Sequence, residues 1–187
     1  MRVLEGRATI EDVDAVVAGL AAIGDENGCT VQAFDARYLV GREQLDRAVE
    51  LADRAIDRGE NVARDRGVEI LLYAAGRRQI DDALAMGVEA GEQDVAVLVD
   101  DVDAEDGAAA DADAEASDAE IEAREADAAA AVREVLELDE RPTVGVERAD
   151  EALVREFFDV TEAELAATDA ELADIVLERV ALLNVEK

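Results

Sequence analysis

EILLYAAGRRQIDDALAMG, running from Glu69 to Gly87, joins an apolar run to a polar turn and then to a second periodic segment. Ile70, Leu71, Leu72, Tyr73, Ala74 and Ala75 are continuously apolar, and the run is short and bounded by Glu69 and Gly76. Such a run between breakers predicts a buried strand. Beyond it Ile80, Ala83 and Leu84 recur at helical spacing, and Gly87 supplies a helix end. Gly76-Arg77-Arg78-Gln79 then reads as a strand-to-helix turn. Free N–H groups of a helix start beside two guanidinium groups predict a place that holds an anion, a phosphate in particular.

Upstream, Leu45, Val49, Ala52 and Ile56 line one face of an amphipathic helix over about Arg42–Arg58. Thr30–Phe34 predicts a strand, with Asp35 to Val40 a weaker continuation. Gly59–Gly67 is a polar connection. Arg2–Arg7 predicts a short first strand around Val3 and Leu4. Thr9 with Asp12 resembles a helix N-cap with a supporting acid. Ile10, Val13, Val17, Leu20 and Ile23 then mark a helix face ending near Gly24, with Asp25–Gly28 as a loop.

Downstream, Val95–Val99 is continuously apolar and predicts an interior strand. Ser117 with Glu120 predicts a capped helix to about Leu138. Arg141 to Val146, with the only proline, Pro142, predicts a short strand or extended arm. Leu153, Val154, Phe157 and Phe158 share a helix face, and Thr161 with Glu164 and Thr168 with Glu171 are further capping signals. Leu172, Ile175, Val176, Val180 and Leu183 form a closing amphipathic helix. Strands interleaved with helices predict one mixed α/β domain over residues 1–187, a small central β-sheet flanked by helices.

The formal net charge is −31, from 49 acids against 18 bases, and every base but Lys187 is Arg. Such acidity predicts a halophilic protein that stays soluble in very high salt, where ions screen the self-repulsion. The other reading is a binder of basic partners or a nucleic-acid mimic. Asp101–Asp127 holds 12 acids, 10 alanines and one base, Arg124. Its first part, about 101–120, reads as an acidic low-complexity insertion, a mobile loop. Cys29 is the only cysteine and there is no histidine. That excludes an intramolecular disulfide, a His-based triad and a His/Cys zinc site. No signal-peptide pattern opens the chain, and no apolar run approaches the ~20 residues that span a bilayer. A cytoplasmic protein without a membrane partner is expected.

Carboxylate pairs such as Asp81-Asp82 and Asp100-Asp101 arise freely among 49 acids, so they point to neither catalysis nor a metal. Cys29 has no basic neighbour in sequence and reads as an inert thiol. The arginines are more informative. Nine of the 17 lie between Arg37 and Arg78. Arg64, Arg66, Arg77 and Arg78 flank the Ile70–Ala75 run, and Tyr73 inside it could stack a base. Arginines with an aromatic fit single-stranded RNA. The competing reading is that they balance nearby acids, as Arg47 and Arg54 do on a predicted helix. Val144, Val146, Phe157 and Phe158 read either as an exposed apolar patch for a partner or as core.

EILLYAAGRRQIDDALAMG followed by VAVLVD resembles the central signature of the small regulatory subunit of the archaeal and eukaryotic KEOPS complex, the TPRKB-like family. FDARYLVGREQLDRAVELADRA upstream, and DEALVREFFDV and IVLERVALLNVEK downstream, extend the likeness over about three quarters of the chain. The resemblance implies a mixed α/β subunit of haloarchaeal type with no catalytic activity and no cofactor. It would serve threonylcarbamoylation of tRNA adenosine at position 37, the t6A37 modification. Its implied partners are the kinase-like ATPase subunit, the tRNA 3′ CCA end and, indirectly, the catalytic threonylcarbamoyl transferase subunit. It implies RNA contact at Gly76, Arg77, Arg78 and Gln79, with Arg64 in support. The kinase is expected on the opposite, more apolar side, at Val144, Val146, Phe157 and Phe158. A protein-only regulator of the kinase, and an unassigned small-molecule enzyme, remain open alternatives. The acidic insertion departs from the family pattern.

Overall fold

The computed structural model describes residues 1–102, 117–167 and 170–183. Most of the acidic stretch at 101–120, and Thr168 of one expected cap, lie outside the described residues. Four strands form one antiparallel sheet in the order β2-β3-β1-β4: β1 (Arg2–Ile10), β2 (Cys29–Asp35), β3 (Gly91–Asp101) and β4 (Asp139–Glu140). β1 and β2 are joined by α1 (Val13–Asn27), and β3 inserts between them, a split βαβ arrangement. The other helices are α2 (Arg42–Asp57), α3 (Arg66–Ala74), α4 (Ile80–Ala83), α5 (Asp118–Val135), α6 (Glu151–Phe157), α7 (Glu162–Ala167) and α8 (Leu172–Leu182). The mixed α/β class is as expected. No described helix is long and apolar enough to cross a membrane.

Helices cover both sheet faces, which is why Val95–Val99 is apolar without alternation. Val95, Val97 and Val99 pack with Leu20, Ile23 and Val132 of α1 and α5. Ala96 and Leu98 point the other way, into a cluster with Leu45 and Leu51 of α2 and Leu71 of α3. A third cluster joins Val154 and Phe158 to Ile175 and Val176 of α8. The Ser117–Glu120 capping box forms, and Thr161 Oγ1 accepts from Glu164 N–H at 3.2 Å.

Two expectations at the start are corrected. β1 runs on to Ile10, which is buried in the sheet and does not begin the helix. Asp12 is itself the N-cap of α1, accepting from Ala15 N–H at 3.0 Å, and α1 continues through the expected loop to Asn27, with Gly28 left-handed after it. The larger correction concerns Ile70–Ala75, which is the body of α3 and not a strand. Every residue of the run is buried, so this stretch of the helix presents no polar face and the run itself carries no period. An unbroken apolar run cannot be told from a strand by spacing alone.

Polar groups hold α3 in place at three points. Arg66 donates to Asp53 of α2 at 2.7 and 2.9 Å, to Asp100 of β3 at 2.6 Å and to Thr30 of β2 at 3.0 Å. Burial opposes its charge, but the hydrogen bonds to Asp53 and Asp100 outweigh it and push its pKa up. Glu69, fully buried, accepts from Val62 N–H at 3.0 Å and Ala63 N–H at 2.8 Å. Buried Gln44 donates to Ala74 O at 2.9 Å and accepts from Val40 N–H at 3.0 Å. Replacing Arg66 by Ala leaves the Asp53 carboxylate without an ion-pair partner among the described residues, and Asp100 with only the N-terminal ammonium of Met1 at 3.2 Å. We expect Arg66→Ala to lower unfolding free energy by about 3 kcal/mol, read as an earlier denaturant midpoint at constant m-value. An unmoved midpoint would contradict the clamp.

Candidate nucleic-acid interface

The Gly76–Gln79 turn is built by the way α3 stops. Gly76 is left-handed at φ +58°, its N–H donating to Tyr73 O at 2.9 Å and Arg77 N–H to Leu72 O at 3.0 Å. That pair of bonds is a Schellman motif, with glycine where a side chain would be strained. A Cβ at Gly76 would lie 3.5 Å from Arg179 O, so the α8 backbone passes close beside the turn. The turn thus connects helix to helix. The helix after it, α4, has only four residues. A single helical turn carries little macrodipole, so anion binding here would rest on side chains.

The candidate residues separate by exposure. Tyr73 is 1% exposed and belongs to the core, which corrects the expectation that it stacks a base. Arg77 is partly buried, hydrogen-bonded to Phe157 O, 3.5 Å from Asp159 Oδ2, and 5.0 Å from the Phe157 ring centroid. Arg78 and Gln79 are exposed, and Arg78 Nη2 donates to Leu183 O at 3.3 Å. Ile80, exposed beside them, was not singled out as a site residue in the sequence, although it follows the turn directly. Arg77, Arg78, Val62, Leu72, Tyr73 and Leu183 border one small cavity. Val62 brings the Arg58–Asp65 connection to this cavity, and exposed Arg64 follows it two residues on.

Charge balance divides the nine arginines between Arg37 and Arg78. Arg37 pairs with Asp35, Arg42 with Asp46, Arg47 and Arg54 with Glu50, Arg66 with Asp53 and Asp100, and Arg77 with Asp159. The Arg47 hydrogen bond holds the Glu50 carboxyl below its usual range. Arg58, Arg64 and Arg78 are exposed and form no ion pair among the described residues. The balancing of acids expected for Arg47 and Arg54 is present, and it does not extend to these three. Two of them were candidates for RNA contact.

The candidate partner patch is less exposed than expected. Phe158 is 3% exposed and sits in the α6–α8 cluster, and Val144 packs on the main core. Phe157 is half-buried, edge-on to Tyr38 at 4.9 Å and to Phe158 at 5.1 Å. Val146 is 44% exposed. Nor is the patch opposite the turn, because Arg77 lies over the Phe157 ring. The two candidate surfaces are contiguous.

No three of His, Cys, Asp and Glu converge as metal ligands among the described residues. A cleft of about 680 Å³ between β1, α1 and α5 is lined by six carboxylates, including Glu11, Glu92 and Glu134, and by the single base Arg7. Its charge suits no anion. Cys29 is buried, and its thiol is pushed up to about 11 by burial and then by Asp101 and Glu125. The native chain should therefore react with a disulfide reagent at mildly alkaline pH roughly a hundredfold more slowly than an unfolded one. Because the folded chain holds the proton longer, stability should fall as pH rises past the unfolded value, around 9. Equal labelling of native and denatured protein would contradict this.

A family model described as Kinase binding protein CGI-121 matches residues 10–184, from the end of β1 to just beyond α8. No curated protein matches the chain. The match spans both sheet faces, α3 with its turn, and the contiguous α6–α8 surface, and the chain belongs to the CGI-121 family of kinase-binding proteins.

Proposed function

We propose that this chain is a non-catalytic, salt-adapted archaeal subunit of the KEOPS tRNA-modification complex that binds the kinase-like ATPase subunit and captures the tRNA 3′ CCA end. The observation that carries the RNA half is the Gly76–Gln79 turn. It ends a rigid, buried helix and presents Arg78 and Gln79 to solvent; Arg64, exposed and without an ion-pair partner among the described residues, is two residues from Val62, which lines the cavity beside the turn. Guanidinium groups meet phosphate oxygens, an amide reads base edges, and Ile80 offers an apolar surface to a splayed base. In a chain of net charge −31, long-range attraction of RNA is absent, so affinity would rest on such short-range contacts.

The kinase half rests on the family. The kinase-like subunit would dock at Val146 and the rim of Phe157, which Val144 and Phe158 support from beneath. The transferase subunit would be reached through that kinase. The alternative is a protein-only regulator that never touches RNA.

Binding of purified chain to one tRNA, with and without its 3′ CCA, in multimolar KCl separates the two. Tail-dependent binding that falls at least tenfold in the Arg77→Ala, Arg78→Ala double variant is expected, since the loss of even one charged hydrogen bond to RNA costs about 1.5–3 kcal/mol. Equal binding of both tRNAs, or none, would leave the protein-only adaptor. Val146→Asp should weaken binding of the kinase-like subunit and spare tRNA binding, measured on the two isolated partners. Unchanged kinase affinity would sink that docking site.

A further inference from the structure

Three elements meet at the inner side of the Gly76–Gln79 turn. α6 ends at Phe157, and the last carbonyls of a helix lack partners within it. Arg77 donates through Nη2 to Phe157 O, and its guanidinium lies over the Phe157 ring. Arg179 of α8 donates through Nε to Phe158 O at 3.4 Å and through Nη2 to Glu164 at 2.7 Å. Asp159, left-handed at φ +55°, turns the chain just beyond and faces Arg77. Two arginines from separate elements thus cap one helix end, and Gly76 packs on the backbone of the second. Arg78 is exposed and makes no bond to α6; among the described residues its guanidinium donates only to Leu183 O, just past the end of α8, at 3.3 Å.

We infer that the two adjacent arginines have different work: Arg77 is a positioning residue that fixes the turn to the α6–α8 junction, and Arg78 is the guanidinium that meets RNA phosphate. This rests on the turn being the RNA-tail receptor. For Arg77 to reach outward it would give up a carbonyl, a ring and an ion pair, and would leave Phe157 O without that donor and the end of α6, among the described residues, to Arg179 alone. Arg78 gives up one long hydrogen bond to Leu183 O. The junction also makes Phe157, on the candidate partner surface, part of what holds the RNA turn.

The test is the salt dependence of affinity for a tRNA with an intact tail, using the full chain and its Arg77→Ala, Arg77→Lys, Arg78→Ala and Phe157→Leu variants. A direct phosphate contact to a single strand contributes about 0.7 to the slope of log K against log salt. Arg78→Ala should weaken binding and flatten the slope by about that amount. Arg77→Ala should weaken binding several-fold with the slope unchanged. Arg77→Lys should recover most of the loss, since an ammonium can still donate to Phe157 O and lie over the ring. Phe157→Leu should reproduce part of that loss and add little when combined with Arg77→Ala. Flattening by Arg77→Ala equal to that of Arg78→Ala, or no loss in either Arg77 variant, would overturn the division. If the unsubstituted chain bound trimmed and intact tRNA alike, the receptor reading itself would fall and the division with it.

Discussion

Burying a helix on all sides leaves its polar groups nowhere to turn but to neighbouring elements, and α3 is built under that constraint. Ile70, Leu71, Leu72, Tyr73 and Ala74 give it a body that packs on α2 and the β2–β3 side of the sheet. The two charged residues of α3 and its last carbonyl are met by neighbouring elements. Arg66 is shared among Asp53, Asp100 and Thr30, Glu69 is taken by two backbone N–H groups, and Ala74 O is closed by Gln44. An unmet group at any of these points would carry the full cost of its desolvation. The same bonds fix where α3 stops, and so where the exposed turn after Gly76 projects. A rigid support of this kind suits a binding residue carried on a turn.

The protein carries a large negative charge, yet its one uneven concentration of arginine lies around this helix. Most of those arginines are spent on acids of their own chain. Of those nine, Arg58, Arg64 and Arg78 remain without an ion pair among the described residues. That pattern differs from the broad basic face with which proteins steer toward nucleic acid at low salt. In concentrated salt such a face would contribute little, and a few directional donors beside an apolar residue serve better. The contact of Arg77 with the end of α6 further joins the turn to the α6–α8 surface.

Much of this was legible in the sequence where the signal was local. The Leu45–Ile56 periodicity marks α2 to within a residue or so of its ends, Val95–Val99 marks the centre of β3, and Ser117 with Glu120 marks the start of α5. The apolar Ile70–Ala75 run misled because complete burial erases the period that tells helix from strand. Asp65, which caps α3 by accepting from Val68 N–H at 2.9 Å, was the clue that could have reversed it. Tyr73, read as a base-stacking residue within that strand, is instead buried in the helix. The sequence also shows which arginines cluster but not which are paired, because the deciding acids are remote. Asp100 lies 34 residues from Arg66, and Asp159 lies 82 from Arg77. The latter pairing is also why the partner patch adjoins the turn.

The most direct measurement is hydrogen exchange of the backbone amides, comparing the free chain with the chain bound to tRNA of intact or trimmed 3′ end. The account predicts that the intact tail slows exchange at residues 77–80 and in the Arg58–Asp65 connection, and that the trimmed tRNA does not. Protection centred on α1 and α5, or protection that ignores the tail, would contradict it.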